Sequence, residues 1–167
     1  TEPKGVQPMR SIRSRSYIGV EDYLTGEQES DVRHEYIDGQ VFAMVGASDR
    51  HGIIAGNLHT FLNTTLPDRC QVFIADMKVR LSKAEQEIFY YPDVLVSCDA
   101  ADRATYYRLR PCLIAEVLSP ATERVDRYEK LAAYRSIESL QEYLLVTQDY
   151  RQVEVYRRAQ GWAPEIY

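Results

Sequence analysis

A single α+β, or mixed α/β, domain is what this sequence predicts, and three observations carry that prediction. Runs rich in β-branched and aromatic residues recur along most of the chain, two helical patterns interrupt them, and Asp38-Gly39 joins two of the runs as a tight hairpin would. The 167 residues suit one such domain with a complete hydrophobic core. One mixed sheet carrying two main helices is the economical arrangement of these parts.

Residues 1–16 read as a flexible arm, with prolines, serines and spaced arginines but few apolar anchors; the domain proper spans 17–167. Val20-Glu21-Asp22-Tyr23-Leu24 starts a short helix that ends before Ser30. Two strands follow, on either side of Asp38-Gly39. Ser48 is placed to cap a helix running to about Leu66, with Ile54, Leu58, Phe61, Leu62 and Thr65 at helical spacing. Strands are expected at Gln71–Ala75, Lys78–Ser82 and Ile88–Ser97, then a charged loop from Asp99 to Arg110. The apolar run Cys112–Leu118 is a further strand, broken by Ser119-Pro120. A helix spans roughly Glu123 to Ser136, with Tyr128, Leu131, Ala132 and Arg135 along one side. Glu142–Thr147 and Gln152–Arg158 form a last strand pair, before a short strand or tail around Trp162.

Charge narrows the function classes. The arm holds Lys4, Arg10, Arg13 and Arg15 against Glu2, a balance of +3 that leaves −8 for the rest of the −5 total. A strong, non-specific binder of nucleic-acid phosphates needs a basic excess that this body lacks. No stretch is long and apolar enough to cross a bilayer, and the N-terminus has no apolar secretory run. Cys70, Cys98 and Cys112 are odd in number and widely spaced, so buried free thiols are expected in place of a disulfide framework or a zinc site. These features together predict a cytoplasmic protein.

Two carboxylates are out of character with their surroundings. Asp93 lies in Phe89-Tyr90-Tyr91-Pro92-Asp93-Val94-Leu95-Val96 and Glu116 in Leu113-Ile114-Ala115-Glu116-Val117-Leu118, both otherwise strands for the interior. A carboxylate taken out of water needs a cation, a hydrogen-bond set or a metal. At the ends of neighbouring strands the pair can hold Mg²⁺ and leave positions for water; taken singly, each can equally answer a buried arginine. Glu35, ahead of the hairpin, either adds a ligand or orients a water, or is a solvent-facing strand residue paired with Arg33 or another cation. Lys130, on the helix after the Glu116 strand, either reaches a scissile phosphate or pairs with Asp126 four residues earlier. His34, His51 and His59 lack metalloprotease spacing, and His51 reads as a capping or packing residue. There is no Gly-x-Ser-x-Gly elbow, phosphate-cradling loop or dinucleotide fingerprint. Tyr90-Tyr91 and Tyr106-Tyr107, among 13 tyrosines, suit strands and subunit interfaces better than base stacking.

The ordered set His34-Glu35-Tyr36-Ile37-Asp38-Gly39, Tyr91-Pro92-Asp93-Val94, Glu116-Val117-Leu118-Ser119-Pro120-Ala121-Thr122 and Asp126-Arg127-Tyr128-Glu129-Lys130-Leu131-Ala132-Ala133-Tyr134 resembles the Uma-two family of restriction-endonuclease-like proteins. Glu142-Tyr143-Leu144-Leu145-Val146 and Val153-Glu154-Val155-Tyr156 extend the likeness, which covers Tyr17 to about Trp162. The resemblance implies a PD-(D/E)xK nuclease fold, a mixed central β-sheet flanked by α-helices. It assigns Asp93 and Glu116 as ligands of Mg²⁺ or Mn²⁺ and matches Glu35 to an upstream acidic position. The superfamily lysine would stand two residues after Glu116, where this chain has Leu118; the Uma-two pattern places it on the next helix, at Lys130. The resemblance also implies self-association. The leading expectation is a metal-dependent endonuclease acting on DNA, with Glu35, Asp93, Glu116 and Lys130 as its catalytic set. A non-catalytic homodimeric binding or scaffold protein that keeps the fold is the alternative, and a metal-free acid–base hydrolase ranks third.

Overall fold

The computed structural model describes residues 16–167, so the expected arm lies, apart from Ser16, outside the described residues. Helix α1 (Val20–Glu29) leads into strands β1 (His34–Ile37) and β2 (Gln40–Ala43). Asp38 and Gly39, at φ 43° and 88°, supply the two positive φ angles that a type I′ hairpin turn demands. Gly39 is further constrained because a Cβ there would run into the Tyr17 ring. Helix α2 (Asp49–Thr65) is capped by Ser48, whose Oγ accepts from the His51 N–H at 3.1 Å. Then come β3 (Gln71–Ile74), β4 (Lys78–Lys83), β5 (Gln86–Tyr90), β6 (Val94–Ser97), the two-residue β7 (Tyr107–Arg108) and β8 (Leu113–Val117). A π-helical turn, Val125–Lys130, runs into helix α3 (Leu131–Tyr134), followed by β9 (Glu142–Val146), β10 (Val153–Arg157) and β11 (Pro164–Ile166).

The mixed α+β class is as expected, but the strands divide between two sheets. One runs β2-β1-β5-β4-β7 and the other β11-β10-β9-β8-β6-β3, each with one parallel pair among antiparallel neighbours. The division falls inside the stretch expected as one strand, Ile88–Ser97. Pro92 has no N–H for a ladder, so pairing stops at Tyr91-Pro92-Asp93 and the chain passes from β5 in the first sheet to β6 in the second.

Side-chain alternation then builds the layers. Ile88 and Tyr90 face the central core, with Leu95, Ile114, Tyr143 and Leu145 from the other sheet and Ala133 and Tyr134 from α3. Phe89 points the opposite way, edge-on to Tyr36 and tilted against Tyr23 beneath α1. Val94, Val96 and Ala115 face outward under Leu62 and Leu58 of α2. Each wholly buried Leu or Ile contributes about 1.5–3 kcal/mol on leaving water. Of the paired tyrosines, Tyr90 lies in a strand and Tyr91 just after it, both buried, whereas Tyr106 is exposed.

Three further expectations are corrected. Phe61 and Thr65 do not belong to the packed stripe of α2; both are exposed, and Ala55 and Leu62 are its buried residues. In the helical segment Tyr128, Ala132 and Arg135 lie on the exposed side, while Asp126, Lys130, Ala133 and Tyr134 face inward. Cys70 and Cys98 are not free thiols but a disulfide, because the antiparallel pairing of β3 with β6 brings the start of one beside the end of the other. Cys112 keeps its thiol, with Sγ 3.5 Å from that of Cys98.

Candidate active site

The β6–β8 register pairs Val94 with Ala115, and one step further sets Asp93 opposite Glu116. The Asp93 N–H donates to Glu116 Oε2 at 3.2 Å, and the Val117 N–H donates to Asp93 Oδ2 at 2.7 Å. Both carboxylates stand where the second sheet ends and the Pro92 crossing begins. The first sheet contributes Glu35, whose Oε1 accepts from the Tyr91 N–H at 3.2 Å.

Lys130 joins the two sheets. Ser119 starts the segment that carries it: Ser119 Oγ accepts from the Thr122 N–H at 3.2 Å, and Pro120 loses no hydrogen bond in this first turn. The π-helical turn, a feature common at functional sites, then aims Lys130 inward. Its Nζ lies 3.1 Å from Glu116 Oε1, 3.1 Å from Glu35 Oε1 and 3.4 Å from Asp126 Oδ1. Tyr134 donates to Glu116 Oε1 at 3.0 Å, and His51 Nε2 sits 3.0 Å from Asp93 Oδ2. This cluster forms part of the wall of an open cleft of about 490 Å³.

The electrostatics follow from crowding. Burial pushes the Glu116 carboxyl well above the usual range; Lys130 opposes this, while Asp93, Asp126 and Glu35 reinforce it. Asp126 is raised for the same reason, burial outweighing Lys130. Burial alone would lower the pKa of the Lys130 ammonium, but Glu116, Glu35 and Asp126 outweigh it and raise it well above its ordinary value. His51 is raised chiefly by its hydrogen bond to Asp93, against a smaller opposing effect of burial. One ammonium thus faces several carboxylates, a balance that favours a further cation.

The Uma2 family, described as "putative restriction endonuclease", matches residues 20–167. The chain belongs to that family. Two relatives described as uncharacterized proteins come from Synechocystis sp.: one is 38% identical over 84% of this chain and 74% of its own length, the other 34% identical over 90% and 86%. A crystal structure described as a putative nuclease belonging to DUF820, from Anabaena variabilis, superposes with a TM-score of 0.64 at 21% identity, covering 83% of this chain and 78% of that one. At that identity the likeness is one of fold.

The four residues expected at the site of this Uma2 protein do converge. Leu118, in the superfamily's lysine position, is a core residue beside Leu95 and Ile114, so Lys130 is the ammonium that reaches the carboxylates. His51 and Tyr134 are partners that sequence reasoning missed. The spacing of Asp126 and Lys130 was visible, but as a surface pair; both are buried. No local signal marks His51, since its partner Asp93 is 42 residues away.

Among the described residues no three His, Cys, Asp or Glu side chains stand as a ready-made metal cage. Mg²⁺ does not require one: it takes one or two carboxylates and keeps several waters. Asp93 and Glu116 supply that hard oxygen pair. Asp126 Oδ1, buried nearby, makes no hydrogen bond and has Lys130 Nζ at 3.4 Å as its ion-pair partner. The residues present therefore fit a small divalent cation.

Proposed function

We propose that this Uma2 protein is a metal-dependent endonuclease that hydrolyses DNA phosphodiester bonds, with Mg²⁺ or Mn²⁺ held by Asp93 and Glu116. The observation that carries the reading is the convergence of Glu35, Asp93, Glu116 and Lys130, from two sheets and a helical turn, at one cleft. Family membership and fold support a nuclease in coarser terms.

When bound, the cation supplies Lewis-acid stabilisation of a phosphoryl oxygen and a water of lowered pKa. The protein's own residues do the rest. Lys130 presents a fixed positive charge to the oxygens of the scissile phosphate, and three carboxylates have already ordered it, so little reorganisation accompanies the reaction. Glu35 holds Lys130 from the side of the first sheet and orients water. His51 and the Val117 N–H both engage Asp93 Oδ2, which fixes the rotation of that carboxylate.

Plasmid nicking with Mg²⁺ or Mn²⁺ tests the assignment. Activity should vanish with a chelator and in Asp93→Ala and Glu116→Ala; cleavage surviving both substitutions would sink it. The second reading is a non-catalytic homodimer that keeps the fold. The acidic body and the ion-paired state of Lys130 favour it, and it predicts neither nicking nor metal binding.

A further inference from the structure

Phe42 occupies an unusual place. The β1–β2 register pairs it with Glu35, so both side chains leave the same face of the hairpin, with Cβ atoms about 4.5–5.5 Å apart. Glu35 in turn holds Lys130 Nζ at 3.1 Å. An aromatic ring therefore shares the cleft wall with the ammonium of the site, and it remains 40% exposed there. Val45, 72% exposed, and Ile74, 38% exposed, extend the apolar surface along the same cleft. A contiguous apolar wall beside a polar centre marks a ligand surface.

The chemistry of that ligand follows from the proposed nuclease reading, on which this inference rests. A nucleic acid offers a flat apolar face only through a base. In a duplex those faces are hidden by stacking; an unpaired nucleotide exposes one. Charge points the same way. Duplex binding rests on neutralising a dense run of phosphates, but the one arginine lining the cleft among the described residues, Arg33, is already paired with Asp76 at 3.0 Å. A cleft of about 490 Å³ suits one nucleotide, not the width of a duplex.

We infer that the site takes an unpaired nucleotide of a single strand, stacking its base on Phe42 so that the adjoining phosphate meets Lys130. Single-stranded or locally opened nucleic acid, not continuous duplex, is then the substrate.

Fluorescence anisotropy of the whole chain with a short fluorescein-labelled oligothymidylate, in chelator, reads binding without cleavage. Phe42→Ala and Phe42→Leu should each weaken binding on the order of tenfold, the leucine failing because it restores bulk without a flat face. Phe42→Tyr should bind as the parent does, and a duplex of equal length should bind at least tenfold more weakly. Parent-like affinity in Phe42→Leu, or tighter binding of the duplex, overturns the inference. So does a concentration-dependent dimer abolished by Phe42→Ala with oligonucleotide affinity unchanged, which would assign the face to a second copy. The two readings fail separately. Phe42-dependent binding without metal-dependent cleavage removes the nuclease and leaves the base site; duplex nicking indifferent to Phe42→Ala does the reverse.

Discussion

Lys130, from the helical turn that follows the second sheet, meets Glu35 of the first sheet at 3.1 Å. The contact crosses the seam between the sheets, and the ammonium is the only cation within ion-pair reach of Glu35, Glu116 and Asp126 among the described residues. Removing it strands buried carboxylates. Lys130→Ala should therefore lose roughly 3–5 kcal/mol of stability at neutral pH. The deficit should shrink on acidification, as the orphaned carboxyls take up protons. Urea denaturation of both proteins at two pH values checks this.

The oxygen pair at Asp93 and Glu116 should register a divalent cation as a thermal shift. At about a hundredfold excess over Kd the linkage is worth roughly 2.7 kcal/mol, or about 5–10 °C in a domain of this size. Asp93→Ala should show no such rise with Mg²⁺ or Mn²⁺. An equal rise in the variant would place the cation elsewhere.

His51 acts through Asp93. His51→Ala leaves the Ser48 cap intact, because that bond is made by the His51 backbone N–H. Nicking should fall about 10- to 100-fold, as it does when a ligand loses its orienting partner, with the far-ultraviolet spectrum unchanged.

The disulfide closes a loop of 28 residues. Reduction should cost roughly 3–4 kcal/mol through the loop entropy released. Cys112, 3.5 Å from Cys98, can replace Cys70 as its partner. In Cys70→Ser, a Cys98–Cys112 bond should appear on peptide mapping of oxidised protein.

Acid tests the Arg127–Glu154 pair. Burial would raise the Glu154 carboxyl, but Arg127, with help from Tyr156 and Gln152, holds it below its ordinary value of 4.5. A carboxyl depressed by folding contributes stability above its unfolded pKa and loses it as pH falls through the folded one. Glu154→Gln should thus be less stable by roughly 1.5–3 kcal/mol at neutral pH. The gap to the parent should close below about pH 4.5, as melting curves across that range would record.

Features fixed by neighbouring residues were legible in the sequence. The Asp38-Gly39 turn, the Ser48 cap and the apolar strand around Glu116 are local, and the structure repeats them. The convergence of Glu35, Asp93, Glu116 and Lys130 was legible through motif order. Pairings over long separations were not. His51 finds Asp93, and Cys70 finds Cys98, only once β3 and α2 have packed on β6. The split at Pro92 was missed because apolar residues on both sides read as one strand, and periodicity does not say to which sheet each half belongs. The inward face of the last helical segment, around Val125–Tyr134, was misread because a charged pair, Asp126 and Lys130, occupies it.

A centre that grips both sheets also acts as the rivet between them, and this bears on which replacements such a chain can tolerate. Selection for stability alone would replace the buried charges with apolar residues of similar volume, often a neutral change or a gain of about 1–4 kcal/mol. Single replacements are barred, since each leaves unpaired charges behind. A variant that replaces Glu35, Asp93, Glu116 and Lys130 together with apolar residues of matching volume should therefore fold at least as stably as the parent, although each single replacement should not.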